Sequence, residues 1–91
     1  MNQTQTAALQ IINELGADKN EVRLMIFMIV KSIGPERSLE HLEQARILYQ
    51  NGTLVPDGSR PRTFGGCWIS LIDKNTVKSA EKIAREAMKQ L

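Results

Sequence analysis

The chain has 91 residues, 42% hydrophobic and 24% charged, the proportions of a globular protein. One domain spanning 1–91 is expected, able to bury roughly 60–68% of its unfolded surface without disulfides or metals. The longest apolar run, Leu24–Val30, is far short of the roughly 20 residues of a membrane span, and the single cysteine, Cys67, excludes an internal disulfide, so a soluble protein of a reduced, intracellular, cytoplasmic setting is expected.

In chain order, Thr4 or Thr6 caps a first predicted helix that ends at Leu15 before Gly16, with Ala8, Leu9, Ile12 and Leu15 inward. A capping box of Asp18 and Glu21 opens a second, closed at Ile33 by Gly34-Pro35. Leu24–Val30 is apolar on nearly every face, which suits a central helix; its β-branched residues also permit a buried strand, but two caps and the length favour a helix. Pro35 starts a third helix reaching Tyr49 or Gln50, with Leu39, Leu42, Ala45, Ile47, Leu48 and Tyr49 on its apolar side. Glu36, Glu40 and Glu43 read as a solvated face, with Glu43 and Arg46 paired at i, i+3.

Leu54 and Val55 either pin the following loop to the core or form a short edge strand limited by Pro56. The loop runs Asp57-Gly58-Ser59-Arg60-Pro61-Arg62-Thr63-Phe64-Gly65-Gly66-Cys67-Trp68. Gly58 and Ser59 are turn residues, and Pro61 holds Arg60 extended, which sends Arg60 and Arg62 to one side with Cα atoms about 6.6 Å apart. Thr63 is the N-cap of a short helix through about Asp73 or Lys74, with Gly65 and Gly66 in its first turn. Free amides at Phe64, Gly65 and Gly66 beside two guanidinium groups make a candidate anion site. Phe64 and Trp68, one turn apart, offer stacking surfaces for a nucleobase, which together with phosphate donors points to single-stranded nucleic acid. The same residues also admit a packing loop: Gly-Gly is a common joint, and Trp68 fits a buried stripe with Leu71 and Ile72 as well as it fits stacking.

After a break at Asn75-Thr76, Thr76 or Ser79 caps a last predicted helix with Val77, Ala80, Ala84, Ala87, Met88 and Leu91 inward. Lys78, Lys82, Arg85 and Lys89 form a stripe on its other side, suited to tracking phosphates, although interleaved Glu81 and Glu86 also fit an ordinary solvated face. Residues 1–56 carry five basic and six acidic side chains, and residues 57–91 seven and four. The positive excess therefore gathers around and after the loop, where it favours encounter with a polyanion.

The stretch Gly58-Ser59-Arg60-x-Arg62-Thr63-x-Gly65-Gly66, with Val30-Lys31-Ser32-Ile33-Gly34, Gln50-Asn51-Gly52 and Lys74-Asn75-Thr76 around it, resembles the RNA-binding domain of PHAX, the phosphorylated adaptor for RNA export. The similarity covers roughly residues 20–85. It implies RNA as the partner and, position by position, Ser59, Arg60, Arg62, Thr63, Gly65 and Gly66 as site residues. Pro61 interrupts the family's arginine run, Phe64 stands where the family has proline, and Cys67-Trp68 where it has Val-Phe, departures that bear on affinity and base preference. Family members are export adaptors, but 91 residues leave room for the RNA-binding module alone.

No partner at ligand spacing accompanies His41 or Cys67, and no phosphate-loop or dinucleotide motif is present. Neither a metal, a cofactor nor an enzyme is expected, and Cys67 reads as a small buried hydrophobe. The expectation is an all-α domain of about five helices with a long Arg/Gly-rich loop between the third and fourth, binding single-stranded RNA through Ser59–Gly66 and Trp68 with Lys78 and Lys82. The competing reading is a small helical protein-interaction module.

Overall fold

The computed structural model describes residues 2–90. The described residues form five helices: α1 (Gln3–Leu15), α2 (Asn20–Ile33), α3 (Pro35–Gln50), α4 (Phe64–Ser70) and α5 (Lys74–Lys89). Among the described residues no helix is long and apolar enough to cross a membrane. Leu91, expected on the inward face of α5, lies outside them.

The apolar run of α2 finds the surroundings it requires. Ile26, Ile29 and Val30 are buried, Leu24, Met25, Phe27 and Met28 half-buried, and the helix packs against α1, α3 and α5. Gly34 alone separates α2 from α3. At φ 94° and ψ 155° it sits where a Cβ is strained, its N–H closes α2 on the Val30 carbonyl, and its carbonyl accepts the Ser38 N–H of α3. Pro35, at the first position of α3, loses no helical hydrogen bond there.

Three helix starts differ from the sequence reading. Asn2, not Thr4 or Thr6, caps α1: its Oδ1 accepts from Gln5 N–H and Gln5 Oε1 accepts from Asn2 N–H, while Thr6 Oγ1 bonds the Asn2 carbonyl from inside the helix. The Asp18–Glu21 box does not form. Ala17 N–H reaches back to the Ile12 carbonyl to finish α1 past Gly16, so α2 begins only at Asn20, and Arg23 Nε braces the junction on the Ala17 carbonyl. For α5 the cap is Asp73, whose carboxylate takes both Asn75 and Thr76 N–H, so the expected break lies inside the first turn and α4 ends at Ser70.

Inward faces are shifted as well. Ala7 and Ile11 are buried in α1 whereas Leu9 is exposed; in α3 Leu42 and Ala45 are buried with Ser38, while Ile47 and Tyr49 are about half exposed at 54% and 50%. Arg46 pairs with Glu43 as its spacing implies, and also with Glu14, which ties α1 to α3.

The last core element is Trp68 of α4, fully buried, with its indole N–H donating to the Ser38 carbonyl of α3 at 3.2 Å. Cys67 beside it is buried too, as its sequence context implied. Replacing Trp68 with alanine is expected to cost about 3–5 kcal/mol, measured by chemical denaturation, because the largest fully buried side chain leaves an unfilled cavity.

Candidate nucleic-acid interface

The long connection from α3 to α4 is a closed hairpin. Val55 N–H donates to the Arg60 carbonyl (2.9 Å) and Arg62 N–H to the Thr53 carbonyl (2.7 Å), flanking a single antiparallel bridge between Leu54 and Pro61. No strand forms beyond that bridge, since Pro61 has no N–H to extend the ladder. The tip turns at Gly58, with φ 74°, where Gly58 N–H bonds the Val55 carbonyl and Asp57 Oδ1 accepts Ser59 N–H at 2.9 Å. Hydrogen bonds from the Ser59 side chain and then its backbone hold the Asp57 carboxyl below its ordinary 3.8.

The two arginines are held differently. Arg62 is half-buried and its Nε donates to the Leu54 carbonyl at 3.1 Å, which fixes the guanidinium while leaving its terminal nitrogens to a ligand. Arg60 is exposed, and among the described residues its side chain has no hydrogen bond. Neither makes a carboxylate bridge there; both ion pairs belong to Arg46.

Thr63 caps α4 as its sequence position implied, with Oγ1 accepting Gly66 N–H at 3.0 Å. This corrects the expected amide cradle: Gly66 N–H is occupied by the cap, leaving Phe64 and Gly65 N–H as the donors without a partner among the described residues. Seven residues also give α4 too few aligned peptide units for its dipole to carry a site. The two glycines have separate reasons. A Cβ on Gly65 would meet nothing within 4 Å, whereas one on Gly66 would lie 3.1 Å from Thr63 Oγ1, in the cap itself.

Trp68 is a core residue. With 0% exposure it has no face for a base, and the buried stripe was its correct reading. The stacking surface lies elsewhere: Phe64 stacks on Tyr49 of α3, ring centroids 5.4 Å apart and planes 14° from parallel, with half of Tyr49 in solvent. The sequence pattern puts Tyr49 on the apolar side of α3. The clue available in sequence was a tyrosine in the last turn before Gln50-Asn51-Gly52, where its ring stands at a helix end beside the loop.

On α5, Lys78 and Lys82 are exposed, as are Arg85, Lys89, Glu81 and Glu86, and no ion pair among them closes within 4.0 Å. The fold joins this stripe to the hairpin, because Arg62, Lys74 and Lys78 line one surface groove; in the sequence Lys74 stood out only within the Lys74-Asn75-Thr76 part of the family resemblance. His41 Nδ1 lies 3.4 Å from Gln44 Oε1, and no cluster of metal-ligating side chains occurs among the described residues.

Fold and site together define a small all-α domain that presents a stacked aromatic pair, a tethered guanidinium and a cationic helix face, the groups with which RNA-binding modules engage their ligands. The family model for the RNA-binding domain of the phosphorylated adapter RNA export protein matches residues 7–91, and the chain belongs to that family of RNA-binding domains. Comparison with curated proteins and with solved structures gave no match.

Two outcomes are expected of this site. Gly65→Ala raises stability by up to about 1 kcal/mol through helix propensity, and Gly66→Ala gains less because its Cβ would lie 3.1 Å from Thr63 Oγ1, both read from thermal melts. As pH falls through the depressed Asp57 value, its contribution to hairpin stability, full above the ordinary carboxylate range, is lost. The Ser59 amide shift in a pH titration reports this with a midpoint below 3.8.

Proposed function

We propose that this chain binds single-stranded RNA at the corner where the 53–62 hairpin meets the end of α3 and the start of α4. The observation that carries this reading is the stacked Tyr49–Phe64 pair, with Phe64 two residues after an arginine whose guanidinium is tied to the hairpin yet unpaired with any carboxylate. A base that stacks on aromatic rings must first be splayed out of any duplex, so a platform of this kind selects single strands. In this mechanism an unpaired base continues the stack already begun by the two rings. Arg62 holds the neighbouring phosphate from a fixed position, and Arg60 adds charge from a free one. Open backbone at Gly65 lets the strand approach the Phe64 and Gly65 amides. Ser59 and Thr63 frame the corner through the turn and the cap rather than as direct anchors. The chain acts as one module, 1–91, in a reducing intracellular setting that suits its single buried thiol.

Arg62 loses less side-chain freedom than Arg60 on contact, because its Nε is already engaged. Titration of a fluorescent unstructured RNA therefore orders the variants. Tyr49→Ala and Phe64→Ala each weaken binding by about 1–3 kcal/mol with little change in salt dependence. Arg62→Ala reduces the slope of log affinity against log salt by about 0.7 and costs more than Arg60→Ala. Binding that ignores salt and both aromatic substitutions would instead favour a protein-interaction module.

A further inference from the structure

The groove between the hairpin and α5 is not explained by a stacking corner. Its volume is about 390 Å³, within the roughly 300–1,000 Å³ of small-ligand sites. Its floor is aliphatic, formed by Pro56, Ile69, Ile72 and Val77. Its rim is cationic: Arg62 comes from the hairpin side, Lys74 and Lys78 from the first turns of α5, and Glu81 is the one carboxylate in the lining. The two lysines and Glu81 are exposed, and no ion pair neutralises either lysine.

Three positive charges against one call for an anionic occupant, and four aliphatic side chains call for an occupant with an apolar face. A free phosphate would leave the floor uncovered. A peptide of acidic residues alone would bring charge without an apolar face to lie on the floor. A nucleotide brings both, a base and ribose between two phosphates.

From this complementarity we infer that the groove is a second nucleotide subsite, taking one nucleotide of single-stranded RNA with its base and ribose on the aliphatic floor and its flanking phosphates on Arg62, Lys74 and Lys78. The inference rests on the RNA-binding reading above and extends it from the aromatic corner onto α5. Arg62 belongs to both subsites, so its terminal nitrogens bind the phosphate that joins them. Glu81 supplies an acceptor for a ribose 2′-hydroxyl or an exocyclic amine. Beyond it, Lys78 also lines the adjoining depression with Lys82, Arg85 and Lys89, four cations against Glu81 and Glu86, which gives the strand an onward path along α5.

The test is anisotropy titration of a labelled octauridylate with the full chain at several salt concentrations, paired with amide-shift mapping. The Lys74→Ala/Lys78→Ala variant is compared with a charge-matched control, Lys19→Ala/Lys31→Ala, whose lysines lie at the two ends of α2. All four lysines are exposed, and unchanged helical circular dichroism verifies folding. The groove variant is expected to bind about tenfold more weakly, with a salt slope shallower by about 1.4 for two lost contacts. RNA-induced shifts at Ser70, Val77 and Glu81 should vanish in it while those at Phe64 persist; the control should match the unmodified chain. Full affinity and slope in the groove variant, with Arg62→Ala still impaired, overturns the subsite and leaves RNA binding at the corner intact. Absence of octauridylate binding by the unmodified chain overturns both. Equal competition by an octaglutamate peptide, lost in the groove variant, would show an unselective anion strip and overturn the nucleotide assignment.

Discussion

The indole N–H of Trp68 donates to the Ser38 carbonyl across thirty residues of sequence, wholly out of contact with water. A helix of seven residues, two of them glycine, has no stability of its own. What forms α4 is the burial of Cys67 and Trp68 against α3 and the Thr63 cap at its start. Ser38 is in turn held by its hydroxyl bond to the Gly34 carbonyl, at the one-residue joint between α2 and α3. A chain of contacts thus runs from the central helix through Ser38 to Trp68, and the first residue of α4, Phe64, is delivered against Tyr49 as its result.

The corner proposed for binding is therefore anchored at its base and open at its rim. The Phe64 ring, the tethered Arg62 guanidinium and bare backbone at Gly65 lie within a few residues of the start of that anchored helix, and Tyr49 meets Phe64 from the end of α3. The excess positive charge of residues 57–91 acts in the same region, since α5 brings Lys74 and Lys78 to the groove that Arg62 also lines. In the proposed binding mode, exposed lysines and Arg60 supply long-range attraction, and Arg62 with the ring pair supplies short-range fit.

Features with a local cause were legible in the sequence. Gly34-Pro35 set the α2–α3 joint, Thr63 the start of α4, and the all-round apolar run of α2 its central place. Features decided by competition between neighbours were misread: Asp73 outbids Thr76 because its carboxylate reaches two amides, and Asn2 takes the cap from Thr6 through its exchange with Gln5. Those decided across the fold were invisible. The pairing of Tyr49 with Phe64, the bridge from Arg46 to Glu14 and the approach of Lys74 to Arg62 depend on how helices lie against one another. Trp68 shows the limit most clearly, for its helical spacing fits a buried stripe and an exposed platform equally, and only the arrival of α3 over it decides.

None of residues 53–62 is buried, and the hairpin is shut by hydrogen bonds between its own peptide groups and by the Asp57–Ser59 turn. The helical bundle consequently has little stake in which side chains this segment bears. Mutational drift can alter the tip one residue at a time, and with it the contacts proposed for RNA, while selection on folding acts elsewhere in the chain.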